Sequence, residues 1–315
     1  MKLKFSTDTL PSRGILVTGS SHEDRCTKVI DLLADWRPVE AVVFRYDDPN
    51  PRREANLLAM QAGLQAASVT PTIVSFSESD AVKSLRDNMK TLSQVLSGHG
   101  DPSVVLDISV LTKRHLLMML RWLDDAGYWD RLCLLYTEPE DYVISEFIPL
   151  SFGSSSFQQI PGFAACPDVS RPIHLVLFLG YEGDRALAVY DRVQPLLTSL
   201  VIPDPPYRPS WSGRTEKANA GLIAVVGQEH VSKADSVDPE ATRAMLVQIL
   251  GNPVLRGQHA NVVCPLGTKP QAVGVYEYIR ESNDQPAVVY ASPLRHNHDF
   301  GSHGAGATWV LKQAQ

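Results

Sequence analysis

Short apolar runs rich in Val, Ile and Leu alternate along the chain with longer stretches whose apolar residues recur every three to four positions. "GILVTG" (14–19), "AVVFRY" (41–46), "TIVSF" (72–76), "SVVLDIS" (103–109) and "LCLLYTE" (132–138) read as strands. Between them, 26–36, 52–67, 81–98 and 112–127 carry helical spacing, the last two stopped by Gly98 and Gly127. Residues 140–172 break the alternation; rich in Ser, Pro and Gly, they read as a connector with one short strand. It then resumes. Strands are predicted at 174–180, 200–204, 222–227, from Asn261 and at 287–292, with helices over "DRALAVYDRVQPLL", over 238–252 and from Thr268 to Ile279. Strands apolar throughout and separated by helices predict parallel sheets covered on both faces. The fold class is therefore α/β, with two tandem Rossmann-like parallel-sheet domains. The boundaries fall at 1–140 for the first domain, 141–172 for the connector and 173–315 for the second domain.

The two halves echo each other in order. "ILVTG" leads to "SSHEDR" with Asp24-Arg25 at a helix start, and "LVLFLG" leads to "YEGDR" with Asp184-Arg185 in the same place. Asp48-Pro49 and Asp204-Pro205 follow the next strand of each half, and the pairs Thr112-Lys113 and Thr268-Lys269 each open a helix after an apolar strand. Tyr136 and Tyr290 close the series, each three residues before a proline. The separation from Asp48 to Lys113 equals that from Asp204 to Lys269. Ordered matches at equal spacing point to an internal duplication.

In an open parallel sheet, ligands bind beyond the carboxyl ends of the strands, where strand order reverses. Every echoed motif sits at such an end. Backbone N–H groups at a helix start attract anions, and a Thr hydroxyl with a Lys suits a phosphate. Structural alternatives exist for each. Thr112 and Thr268 can be helix N-caps, worth about 1 kcal/mol without a ligand. Arg25 and Arg185 can pair with Asp24, Asp48, Asp184 or Asp204 to brace loops. The lysines carry the functional reading, because duplicated cations at strand ends have little structural use. No G-x-G-x-x-G follows the first strand, and "GTKP" lacks the upstream glycine of a P-loop, which argues against dinucleotide binding and ATP hydrolysis by those routes.

Composition narrows the class. With 315 residues, 44% of them hydrophobic and 20% charged, the chain suits two globular cores. A formal charge of −6 speaks against broad, non-specific nucleic-acid binding but leaves room for a small anion held by focused cations. No run is long and apolar enough for a transmembrane helix, and the N-terminus lacks the apolar core of a signal peptide. The four cysteines, Cys26, Cys133, Cys166 and Cys264, show no Cys-x-x-Cys spacing, which fits a reducing cytoplasm. His296, His298 and His303 match no familiar metal spacing and read as loop histidines, one of which could reach a pocket mouth. Cofactors and metals are not expected.

With "PLGTKP", "SVLTKR", "GSSHEDR" and "GYEGDR" in view, the chain resembles the CRISPR-associated Rossmann-fold (CARF) sensor domains and their tandem relatives, the SAVED domains. The likeness covers roughly 14–139 and 173–293. The resemblance implies paired pockets for a cyclic or linear oligonucleotide messenger, formed between the duplicated domains of one chain. The ligand residues it implies are Ser20, Ser21, Arg25, Thr112, Lys113, Tyr181, Arg185, Gly267, Thr268 and Lys269. Sensors of this kind usually carry an effector domain, and this chain has no room for one, so a separate effector protein is the expected partner. "SVLTKR" also lacks the glycine of "PLGTKP", so the two pockets cannot be equivalent.

Three functions compete: a defence sensor that switches a partner, a nucleotide-processing enzyme of the ring-nuclease kind, and a scaffold whose fold has lost its ligand. The absence of paired catalytic carboxylates, a nucleophile triad or a metal cluster from the motifs favours the sensor over the enzyme.

Overall fold

The computed structural model describes residues 3–47, 50–77, 80–100, 102–143, 151–163, 170–252, 257–283, 285–296 and 301–314. Two compact units result: one from the chain up to Val143 together with the segment from Gly301 onward, the other from the stretch between. In chain order the first unit contains β1 (Leu3–Lys4), β2 (Gly14–Ser20), a 3-10 helix (Asp24–Ala34), β3 (Glu40–Tyr46), α1 (Pro51–Ala66), β4 (Pro71–Phe76), α2 (Ala81–Gly98), β5 (Ser103–Asp107), α3 (Lys113–Asp125), β6 (Leu132–Thr137) and β7 (Asp141–Val143). The second contains β8 (Ser151–Gln159), β9 (Ile173–Phe178), α4 (Gly183–Val193), β10 (Leu197–Pro203), α5 (Arg214–Ala218), α6 (Ala220–Val226), β11 (Val231–Ala234), α7 (Pro239–Leu250), β12 (Ala260–Pro265), α8 (Lys269–Glu281) and β13 (Ala287–His296). The chain then returns to the first unit as β14 (Gly301–His303) and β15 (Thr308–Lys312).

The first sheet runs β1-β15-β6-β5-β2-β3-β4, and the second runs β11-β10-β9-β12-β13-β8. The pairings from β6 to β4 and from β11 to β13 are parallel, while β15 joins β6 and β8 joins β13 antiparallel. Counting only parallel strands in chain order, both sheets read 3-2-1-4-5. This is the doubly wound order, with its reversal between β2 and β5 in one unit and between β9 and β12 in the other. All seven residues of β2 are buried, as a strand covered on both faces requires. On one face of the first sheet Leu16, Val43 and Leu135 pack with Val29, Met60 and the C-terminal Val310. The alternate residues Ile15, Val17, Val42 and Leu106 are equally buried.

Helix starts follow local chemistry. Asn50 accepts from the Arg52 and Arg53 N–H groups ahead of Pro51, and Asp238 accepts from Glu240 N ahead of Pro239.

The structure departs from the sequence pattern in three places. "LIAVVG" (222–227), expected as a strand, falls in α6, and the third parallel strand of the second sheet is the shorter β11. Only Leu222 of α6 is buried and Val225 is 63% exposed, a one-sided burial that a core strand would not show. A six-residue apolar run does not distinguish helix from strand by itself. The stretch expected as a connector supplies β7 to the first unit and β8 to the second, and the segment from Gly301 onward supplies β14 and β15 to the first unit. The parallel strands β6 and β13 each gain an antiparallel neighbour in this way.

Candidate functional site

In the first unit, the reversal between β2 and β5 brings the loops after both strands together. Asp107 ends β5 inside a buried polar network. It accepts from the Thr18 hydroxyl at 3.0 Å, from Ser109 N–H at 3.0 Å and from the Ser109 hydroxyl. Ser109 Oγ in turn accepts from Thr137 N at 2.8 Å on β6. Burial pushes the Asp107 carboxyl up, against the pull of these hydrogen bonds. Above this network Gly19 packs closely against the loop after β5. A Cβ on Gly19 would meet Leu111 Cδ2 at 3.1 Å and Val110 Cγ2 at 3.3 Å. Ser20 and Ser21 are buried; Ser20 Oγ donates to Phe44 O at 3.4 Å, and Ser21 Oγ accepts from Glu23 N at 3.3 Å.

Thr112 is the N-cap of α3, accepting from His115 N at 3.4 Å, while its own N–H donates to Tyr46 Oη at 3.0 Å. Lys113, half-buried, is the first residue of that helix. Tyr46 Oη also meets His115 Nδ1 at 3.1 Å, and the His115 ring stacks on Phe76 at 3.8 Å. Burial alone drives the His115 pKa down to about 3, so the imidazole is neutral.

Arg25 points inward, away from solvent. Its guanidinium donates to Glu23 Oε2 at 2.7 and 3.0 Å, to Tyr136 Oη at 3.2 Å and to Thr137 O at 3.1 Å. Burial works against its charge, and Glu23 and Tyr136 more than offset it, so its pKa lies above the ordinary arginine value. Arg185 repeats the arrangement in the second unit. It is buried, pairs with Glu182 and lies 5.9 Å from the Tyr290 ring centre, as Arg25 lies 5.7 Å from that of Tyr136. The echoed arginines therefore brace the first helix against the fifth parallel strand of each sheet. The braces use Glu23 and Glu182, not the aspartates expected from the sequence; Asp24 instead pairs with Arg52, and Asp204 with Lys233. Asp48-Pro49 lies outside the described residues.

In the second unit backbone segments approach each other closely beside the reversal. A Cβ on Gly180 would sit 2.9 Å from Leu266 O, and one on Gly183 would run into the Ala218 carbonyl oxygen. Asn219 donates to Gly180 O and to Thr215 O, at 2.8 Å each, tying α5 to the loop after β9. Thr268 forms a capping box with Gln271 and donates its hydroxyl to Ser236 O at 2.6 Å. A Cβ on Gly267 would collide with Gln271 Oε1, so that glycine admits the capping box. Lys269, half-buried, begins α8 directly after it.

Tyr181, next to Gly180, meets the Trp211 ring edge-on at 6.4 Å, and Tyr207 does so at 6.1 Å. Burial raises the Tyr181 hydroxyl to about 12, with Arg214 pulling the other way. The Arg214 guanidinium lies 5.6 Å from the Trp211 ring centre. Sequence reasoning passed over Trp211 and Arg214. Their signal is the aromatic and basic loop "PPYRPSWSGR" after a strand, obscured because the apolar run that follows reads as a strand.

The structure thus gathers Ser20, Ser21, Arg25, Thr112 and Lys113 at the reversal of the first sheet. Tyr181, Arg185, Gly267, Thr268 and Lys269 lie at the reversal of the second. Beside the first group, the tail's Ser302 donates to Glu23 and His303 Nδ1 lies 3.9 Å from Asp24 Oδ2. His298 and the side chain of His296 lie outside the described residues. Among the described residues no group of three or more His, Cys, Asp or Glu could hold a metal ion. Cys26, Cys133 and Cys264 are buried cysteines. No described helix is long and apolar enough to cross a membrane.

No protein-family model matches the chain, and no curated protein matches it. Among solved structures it is similar to a Type III CRISPR defence DNA nuclease activated by cyclic oligoadenylate. That match has a TM-score of 0.56 and 11% identity over 93% of this chain and 67% of the nuclease. At this identity the likeness is one of fold. The chain also aligns with the cytoplasmic domain of a prokaryotic cation chloride cotransporter, at a TM-score of 0.26 and 11% identity over 92% of this chain and 99% of that one. That score carries no structural argument.

Proposed function

We propose that this chain is a CARF-like sensor or regulatory subunit in antiviral defence. It binds an anionic nucleotide second messenger at the strand ends of its units and controls a separate effector protein. The observation that carries the reading is the fold likeness, over 93% of the chain, to a nuclease activated by cyclic oligoadenylate. The twin 3-2-1-4-5 sheets support it, each with a Thr-capped helix opening on a lysine at the strand-order reversal. The tandem, SAVED-like form of the reading rests on the echoed motifs, which suggest that both units descend from one duplicated domain.

Melting the full chain against a panel of cyclic oligonucleotides, NAD-derived messengers and linear nucleotides tests this. The expected result is a rise in melting temperature with one class of messenger, abolished by Lys269→Ala. No shift with any nucleotide would overturn the reading. Conversion of the ligand, seen by chromatography, would move the chain to the nucleotide-processing enzymes.

A further inference from the structure

The second unit carries a cation that no described carboxylate neutralises. Arg214 opens α5 after Gly213, which takes a φ of 76°. Its half-buried guanidinium sits over the Trp211 ring, and no described carboxylate pairs with it. The buried arginines Arg25 and Arg185 both spend donors on a glutamate. Stacking on an aromatic ring holds a guanidinium by about 0.5–1 kcal/mol at an open site. It consumes none of the N–H donors, so the planar fork remains available for a bidentate oxyanion.

The seat is rigid. Trp211 is 3% exposed and wedged edge-on by Tyr181 and Tyr207. It also adjoins the strand-end loops. Tyr181 follows Gly180, which lies against the Leu266 carbonyl two residues before the Thr268 cap, and Asn219 ties α5 to the same loop.

We propose that Arg214, seated on Trp211, is a phosphate-binding cation of the second unit, taking a nucleotide phosphate through its guanidinium fork. The assignment rests on the nucleotide-binding reading above. It adds a residue that the echoed motifs do not contain, since the first unit has no counterpart to it among those motifs.

Titration of the full chain with cyclic tetraadenylate and with ATP, followed by tryptophan fluorescence and calorimetry, tests the assignment. Wild type should bind at least one of them saturably. Arg214→Ala should weaken that binding by about 10- to 100-fold, the loss expected for charge-assisted hydrogen bonds. Arg214→Lys should recover only part of it, because the charge returns without the fork. Both variants should melt with wild type when unliganded. Cyclic tetraadenylate binding lost in Lys269→Ala but intact in Arg214→Ala would overturn the Arg214 assignment and leave the messenger reading standing. ATP binding that depends on Arg214, without any cyclic oligonucleotide binding, would uphold Arg214 and sink the messenger reading. No saturable binding of either probe would overturn the assignment.

Discussion

Arg25→Met separates a structural arginine from a ligand-facing one. The substitution keeps most of the side-chain stem and deletes the guanidinium. It removes two bonds to Glu23, one to Tyr136 Oη and one to Thr137 O. The Arg25 side chain is 3% exposed and that of Glu23 16%, so the carboxylate left behind is largely cut off from water. Breaking a buried pair by removing one partner costs about 3–5 kcal/mol. The partial hydration of Glu23 and its remaining bond from Ser302 place this case near the lower end, at about 3 kcal/mol. For a unit of this size, that corresponds to a drop of roughly 6–12 °C in melting temperature. Urea unfolding with tryptophan fluorescence and calorimetric melting, both without ligand, would measure it. A double-mutant cycle with Tyr136→Phe should show a coupling of about 0.5–3 kcal/mol. A solvent-facing ligand contact would instead change stability by no more than about 0.5 kcal/mol. A melting temperature within a degree or two of wild type for Arg25→Met would refute the brace and return Arg25 to the ligand-binding set.

Two further outcomes follow from packing and burial. His115 is held neutral, with a folded pKa of about 3 against an ordinary 6.5, so the unfolded chain binds the extra proton between those values. Its contribution is therefore complete above about pH 6.5 and is lost as pH falls toward 3, with a slope of about 1.4 kcal/mol per pH unit. His115→Phe should flatten the acid limb of the stability curve, and a curve parallel to wild type between pH 4 and 6 would count against this assignment. Gly183→Ala should destabilise the second unit by about 1–3 kcal/mol, because the new methyl group meets the Ala218 carbonyl and backbone must move. Wild-type urea midpoints for that variant would show that α4 and α5 are not packed as closely as described.

The alternation of apolar runs with helical spacing was enough to identify two doubly wound sheets, because a parallel strand buried on both faces leaves its pattern in consecutive residues. Thr112 and Thr268 were equally legible as N-caps, since each cap closes within three residues of chain. What lay beyond the sequence were the partners of side chains that act at a distance. The echoed arginines looked like strand-end cations, and only tertiary structure turned Arg25 onto a tyrosine 111 residues away. The run "LIAVVG" became a helix because α6 has one face to bury, a property set by its neighbours and not by its own residues. Tertiary structure likewise carried the tail back to β6 and left Arg214 stacked on Trp211 with no counter-charge among the described residues. Periodicity reports how a segment meets the core; which charges find partners depends on segments that meet only when the chain has folded.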